Sequence, residues 1–237
     1  MIILNGQSYL TDLFENLIMT TMRLFIYDHC PYCVRARMPF GMKNIPVDIS
    51  VLSNDDEATP ISMIGIKACP ILQKLDGSFM AESLDIVKYL DQLDGSPIFA
   101  ESANREDLNE WLKKVNLLFK KLLYPRWITS GVGEFQTQSA IDYFTNKKTK
   151  ELGSFSEALA DSDALIKELE DELKVLAPMI HSEKHVNEQL SIDDVDLFGR
   201  LRAITLIKDL NIPEEISAYI DYFSKVSGIP TFYDVAQ

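Results

Sequence analysis

Two thiols separated by two residues, Cys30-Pro31-Tyr32-Cys33, follow directly on the apolar run Leu24-Phe25-Ile26-Tyr27 and open a helical pattern. Thiols at that spacing on a helix start pass between dithiol and disulfide with little backbone movement, and the helix dipole favours the thiolate of the first. Cys30, at the exposed edge of the helix, is the expected nucleophile; Cys33, one turn in, is the expected second thiol. Pro31 suits the first helical position because it has no N–H to leave unpaired and its φ is already helical. The competing chemistry is half a zinc site, which needs two further ligands at close spacing. The only other cysteine is Cys69, so no metal is expected. Arg35 and Arg37 would add positive potential nearby without sharing a helix face. His29 either tunes Cys30 or points away from it.

Two dipeptides further on could complete such a site. In Cys69-Pro70, a proline at the start of a strand can take the cis form, which turns the backbone N–H and C=O of the preceding residue toward the dithiol. That would make a short β-like clamp for an extended thiol peptide; the plainer alternative is a trans proline that merely begins a strand. In Glu82-Ser83, a hydroxyl and free helix N–H groups can hold a carboxylate while the adjacent acid pairs with an ammonium, a combination suited to an α-amino acid head. The same dipeptide is also an ordinary helix cap. His181 and His185 have a metal-like spacing but no third ligand, and read as a solvated loop.

The elements that must position these groups alternate. Arg23 to Asp28 reads as a strand, Pro31 to Asn44 as a helix, Val47 to Leu52 as a strand and Asp55 to Ile64 as a short helix. Ile71 to Leu75 and Phe79 to Ala81 flank the turn Asp76-Gly77-Ser78, and Ser83 to Leu93 reads as a helix capped by Ser83. The order βαβαββα is that of a thioredoxin-like domain, an α/β fold. After Asp94-Gly95-Ser96-Pro97 the strands stop. Leu108, Trp111, Leu112, Val115, Leu118, Phe119 and Leu122 mark a helix expected to end near Pro125. Further helices are expected over Ala140 to Leu152, around Leu165 to Leu176, over Asp194 to Leu210 and over Pro213 to Val226. Ser191 and Asp194 have the spacing of a capping pair, and the acidic run Asp161 to Glu172 reads as a wet helix face.

The chain has 237 residues, room for two domains, with a net charge of −13 that opposes binding to nucleic acid or anionic lipid. Three cysteines including a redox-type pair do not form a secretory disulfide framework, and a reducing cytoplasm is the expected compartment. Residues 1–21 contain no Lys or Arg and do not resemble a signal peptide. Leu10, Leu13, Phe14, Leu17 and Ile18 give them a short amphipathic pattern, too interrupted to span a bilayer. They read as a poorly ordered extension, or as a docking helix.

Taken together, Cys30-Pro31-Tyr32-Cys33, Pro70 and Glu82-Ser83-Leu84-Asp85-Ile86-Val87, joined to an all-helical second half, resemble the two-domain bacterial glutaredoxin 2 family, whose architecture is that of glutathione transferases. The resemblance covers Met22 to about Gln237 and is strongest through Tyr27 to Cys33, Pro70 to Lys74 and Asn104 to Tyr124. It implies a thioredoxin-like domain over residues 22–93, a linker over 94–103 and an all-α glutathione-transferase-like domain over 104–237. It also implies a glutathione-dependent disulfide oxidoreductase that reduces protein disulfides and glutathione mixed disulfides, with glutathione as co-substrate and a monomer as the expected state. In that family pattern Cys30 attacks disulfides and Cys33 resolves protein disulfides. Tyr32 lines the glutathione site, the Cys69 backbone before Pro70 pairs with the cysteinyl unit, and Glu82 with Ser83 holds the γ-glutamyl end. Cys69 departs from the family, which usually has an aliphatic residue such as valine there. It is either a small apolar filler or a thiol able to compete with Cys33.

Other functions share the architecture. Omega glutathione transferases and dehydroascorbate reductases use one cysteine with bound glutathione, for which Cys33 would be superfluous. A scaffold protein would use the dithiol as a redox switch. An iron–sulfur role is opposed by Pro31, where cluster-binding relatives usually carry a smaller residue.

Overall fold

A computed structural model describes residues 21–237. The amphipathic helix expected around Leu10 to Ile18 lies outside the described residues. The first half runs β1 (Met22–Ile26), α1 (Pro31–Met42), β2 (Val47–Val51), α2 (Ala58–Ile64), β3 (Ile71–Gln73), β4 (Phe79–Met80) and α3 (Ser83–Gln92). Its sheet has the order β2-β1-β3-β4. β1 is parallel to β2, with Leu24 opposite Ile49, and antiparallel to β3, with Leu24 opposite Leu72. A parallel neighbour requires a crossover, which α1 supplies. Every β1 side chain except Arg23 is buried, because β1 is central and covered on both faces. Ala36 and Phe40 of α1 and Ile86 and Leu90 of α3 pack with Leu24, Ile26 and Leu72. The expected order βαβαββα and the α/β assignment stand.

The second half is helical: α4 (Glu106–Trp127), α5 (Gln138–Leu152), α6 (Phe155–Ala160), α7 (Ser162–Leu176), α8 (Ile192–Ile204) and α9 (Glu214–Ser227), with a short 3-10 turn at Gly133–Phe135. α4 does end near Pro125, running two residues beyond it to Trp127, where Arg126 and Trp127 are buried and the Arg126 guanidinium donates to the Leu122 carbonyl. Two expectations need correction. α8 ends at Ile204 and not near Leu210. Thr205, Leu206 and Ile207 tighten into three-residue bonds to Arg202, Ala203 and Ile204, and the Thr205 hydroxyl accepts the Phe232 N–H. Ser83 is the first helical residue and not the cap, which is Glu82, whose carbonyl accepts the Ile86 N–H. Ser191 and Asp194 do form the reciprocal capping box at the start of α8. On α7, Glu172 leaves the wet face and pairs with Lys114.

The two halves share one core. Val34, Met38 and Val87 belong to the same buried cluster as Trp111, Leu122, Leu173, Phe198 and Phe223. α1 lies against α8 and α9, and the approach to α9 is close: a Cβ on Gly41 would sit 1.9 Å from the Ser227 carbonyl oxygen. Polar clamps fix the crossing. Arg202 of α8, 1 % exposed, donates to the Asp28 carbonyl at 2.7 Å, to its carboxylate at 3.1 Å and to the Pro230 carbonyl at 2.7 Å. Its guanidinium lies 3.9 Å from the centre of the Phe232 ring. Arg35 of α1 pairs with Asp196 of α8. At the linker, Asp91 accepts the N–H groups of Ile98 and Phe99.

Burial pushes the Asp28 carboxyl up, and Arg202 and Arg37 pull it further down, so it is held below its usual 3.8. A depressed carboxyl contributes stability above its unfolded pKa and loses it as pH falls through the folded value. Arg202→Met is therefore expected to cost on the order of 3 kcal/mol at neutral pH, the low end for a broken buried pair because Arg37 remains on Asp28. Denaturant titrations should also show the gap between wild type and variant narrowing as pH drops below 3.8. A gap that stays constant into acid would remove the pair from the interface.

Candidate active site

The turn from β1 into α1 presents the dithiol. Cys30 is the N-cap of α1 with extended backbone angles, half-buried, while Cys33 is fully buried beneath it. The two thiols are chemically unequal. Cys30 is held down to about 6, chiefly by the hydrogen bond it accepts from the Cys33 thiol; burial opposes this, and His29 and the backbone N–H groups of Cys33 and Tyr32 assist. Cys33 is pushed well above its usual range by burial and by donating that same bond. The Tyr27 N–H lies 3.4 Å from the Cys33 sulfur. Arg35 and Arg37 do not act as expected: their guanidiniums are committed to Asp196 and Asp28, and they tie the active-site helix to its neighbours.

His29 faces the site because a residue from the helical half holds it there. Its backbone N–H donates to Glu134 Oε1 at 2.8 Å, and its ring Nδ1 lies 2.5 Å from the same oxygen. Glu134 is fully buried, and its Oε2 has no hydrogen-bond partner among the described residues. Burial raises its carboxyl pKa, but the contacts with His29 overcome this and leave it lowered. The ring packs among Trp127, Phe135 and Phe144. Nothing in the sequence around Glu134 marks it; only the fold brings together residues 105 positions apart.

The remaining expected site residues fall into two groups. Tyr32, 47 % exposed, stands beside Cys30 with the Arg35 guanidinium 4.6 Å from its ring centre. Cys69 packs against the same buried cluster as Cys30 and Cys33, and the Cys69–Pro70 peptide bond is cis. Cys69 is close enough to Cys30 for their charges to interact, and burial pushes its thiol up to about 12, which disfavours its thiolate. The Cys69 backbone N–H and C=O join no ladder or turn among the described residues. At the start of α3, exposed Glu82 has φ +66, a left-handed value that a non-glycine side chain adopts at a cost, and Ser83 is buried with no side chain capping the helix. Free backbone groups just before the start of β3 and an uncapped helix start suit an extended ligand with a carboxylate at one end.

Between the halves, Cys30 opens into a cleft of about 210 Å³. Pro31 and Tyr32 form its thioredoxin-side rim; Phe119, Leu123, Tyr124, Trp127 and Phe144 form its floor. Asn116, Lys120, Lys148, Arg200 and Ala203 complete the wall. Sequence reasoning missed this wall entirely, since its members come from α4, α5 and α8.

Fold and site together define a dithiol oxidoreductase built on the glutathione-transferase architecture. Residues 24–98 match the family model described as glutathione S-transferase, N-terminal domain, and residues 107–236 match glutaredoxin 2, C terminal domain. Glutaredoxin 2 of Escherichia coli strain K12 is 48% identical over 208 residues, spanning 88% of this chain and 96% of that one. The crystal structure of glutaredoxin 2 from Salmonella typhimurium in complex with glutathione superposes with a TM-score of 0.89 at 46% identity, covering 92% of this chain and 99% of that one. A glutathione transferase from Phanerochaete chrysosporium, at 14% identity and TM-score 0.65 over 87% of this chain and 97% of that one, shares the fold. The chain belongs to the glutaredoxin 2 family, and with it to the glutathione-dependent thiol–disulfide oxidoreductases.

If the Cys33 thiol is the main support of the Cys30 thiolate, the pH profile of Cys30 alkylation should have its midpoint at about 6. Cys33→Ala should move that midpoint upward, whereas Cys33→Ser, which keeps a donor, should move it less. Equal profiles for Ala and Ser would assign the support to His29 and the backbone instead.

Proposed function

We propose that Cys30 carries the exchange chemistry, Cys33 resolves it, and Tyr32, Cys69, Pro70, Glu82 and Ser83 hold glutathione. The observation that carries this reading is the inequality of the two thiols: one half-buried and held down to about 6, the other buried and pushed up. At neutral pH Cys30 is a thiolate and Cys33 a proton-bearing thiol, the distribution an attacking and a resolving group need. The Cys30 thiolate attacks one sulfur of a disulfide; a Cys30–sulfur bond forms, the old S–S bond breaks, and its electron pair leaves on the other thiolate. With a glutathione mixed disulfide the product is the Cys30–glutathione disulfide, which a second glutathione thiolate reduces, releasing oxidised glutathione. With a protein disulfide, Cys33 loses its proton, attacks Cys30 and frees the reduced protein. Two glutathione molecules then restore the dithiol.

Glutathione is the ligand bound to the Salmonella relative, and the edge of this chain has matching chemistry. The unladdered Cys69 backbone is suited to the cysteinyl unit, the uncapped start of α3 to a carboxylate, and Glu82 to an ammonium. The strained φ of Glu82 supports a functional role, since strain of this kind persists mainly where a site requires it. For Cys69 the buried, poorly ionised thiol favours the filler role over competition with Cys33. The buried resolving thiol also argues against a one-cysteine transferase, and family membership against a bare scaffold. The halves divide, in this reading, at the linker of residues 94–103. Protein disulfides and glutathionylated proteins are the expected partners, a monomer the expected state, and the cytoplasm the expected compartment because the dithiol must be recycled. No helix among the described residues is long and apolar enough to cross a membrane.

Turnover of a glutathione mixed disulfide tests the assignment. Cys30→Ser should abolish it and Cys33→Ser should retain it, while both lose reduction of a protein disulfide. Glu82→Gln should raise KM for glutathione by about tenfold or more, the worth of one charge-assisted hydrogen bond. An unaltered KM would take Glu82 out of the glutathione site.

A further inference from the structure

The cleft beside Cys30 carries a charge pattern opposite to that of the chain. The protein has a net charge of −13, yet among the described residues three cations, Lys120, Lys148 and Arg200, line this cleft and no carboxylate does. Two of the three are already paired: Lys120 with Glu151, and Arg200 with Asp196 at 3.1 Å. Lys148 makes no ion pair among the described residues. It is half-buried against the aromatic floor, its ammonium 4.9 Å from the Tyr124 ring centre and 5.8 Å from that of Phe144. Glu151 and Cys30 are the negative groups within reach of its charge, and Glu151 is held by Lys120. An ammonium with no direct ion pair among the described residues, set against an aromatic floor and in range of the Cys30 sulfur, is poised for an anion that arrives with the substrate.

The glutathione edge proposed above does not supply that anion. Of its residues only Tyr32 lines the cleft; Cys69, Pro70, Glu82 and Ser83 do not. Cys30 thus stands between two surfaces, one for glutathione and one for whatever glutathione is bonded to.

We infer that the cleft binds the leaving half of a glutathione mixed disulfide, and that Lys148 selects leaving thiols bearing a carboxylate on an aromatic or apolar body. This rests on the proposed role of Cys30 toward glutathione mixed disulfides and specifies their class. In the step concerned, the Cys30 thiolate attacks the glutathione sulfur, the Cys30–glutathione bond forms, and the original S–S bond breaks with its electron pair leaving on the anionic thiol. The apolar floor holds the body of that thiol, and Lys148 faces its carboxylate. The cleft's volume of about 210 Å³ suits a small thiol.

The test uses two glutathione mixed disulfides of equal shape, one with para-mercaptobenzoate and one with para-mercaptobenzamide, assayed with the full chain and with Lys148→Gln and Lys148→Arg. Both carry the same glutathione half, so any contact of Lys148 with glutathione cancels in the ratio of their kcat/KM values. Wild type should prefer the benzoate. Lys148→Gln should shrink the preference about tenfold, mainly through KM, and Lys148→Arg should restore most of it. A ratio unchanged in Lys148→Gln, whether both substrates slow together or neither does, overturns the selectivity. If wild type reduces the glutathione mixed disulfide of 2-mercaptoethanol but turns over neither probe, or turns over both without discrimination, the inference alone falls; no turnover of any of the three would remove the proposed role of Cys30 as well.

Discussion

A charge buried between the halves is the constraint on which the rest of the structure depends. Arg202 is almost without solvent contact, and burial drags its guanidinium down to about 10, yet it remains a cation at neutral pH because Asp28 draws it back. A buried cation is tolerable only if its donors are answered, and Arg202 finds its acceptors at Asp28 and Pro230. Asp28 is two residues before the nucleophile. The helical half therefore holds the dithiol loop directly, through the backbone carbonyl as well as the side chain of that aspartate.

The second clamp has the same logic and bears on the chemistry. Glu134 enters from the helical half as a fully buried carboxylate, and His29 answers it with both backbone and ring. The imidazole thereby stays beside Cys30 and is one of the groups that favour its thiolate. Cys33 adds the larger share from within α1. The reactivity of Cys30 is thus assembled from its own helix and from a residue more than a hundred positions away, and the helical half is a structural part of the active site as well as one wall of its cleft. Stability and reactivity share these contacts, because each clamp that satisfies a buried charge also fixes an atom near the dithiol.

How far the site was legible in the sequence follows from how local its signals are. The strand before Cys30, the helix after it and the hairpin around Asp76-Gly77-Ser78 are set by neighbours in sequence, so periodicity and turn residues revealed them. Cys30 and Cys33 were singled out by spacing alone, while the contrast between half-buried Cys30 and fully buried Cys33 came only with the fold. Glu82 was visible as part of a dipeptide, but its left-handed backbone was not, since nothing local requires it. Pro125 marked the end of α4 to within two residues, whereas α6 escaped because its six residues are too few for a period to register. Arg35 and Arg37 looked like electrostatic support and proved to be tethers. Glu134, Lys148 and Arg202 carried no signal at all: a charged residue in a helix reads as solvated until the fold shows what it faces.

The central claim, that buried charges and a continuous core bind the two halves into one body, predicts a single cooperative unfolding. Nature has placed independent reporters on either side: both tryptophans, Trp111 and Trp127, are in the helical half, and the buried thiol of Cys33 is in the other. The direct measurement is an equilibrium denaturant titration followed at once by tryptophan fluorescence and by pulse alkylation of Cys33. Coincident midpoints and slopes are the predicted result. Cys33 becoming reactive at a lower denaturant concentration, with the tryptophan signal still native, would contradict the account by showing that the dithiol half opens while the helical half stands.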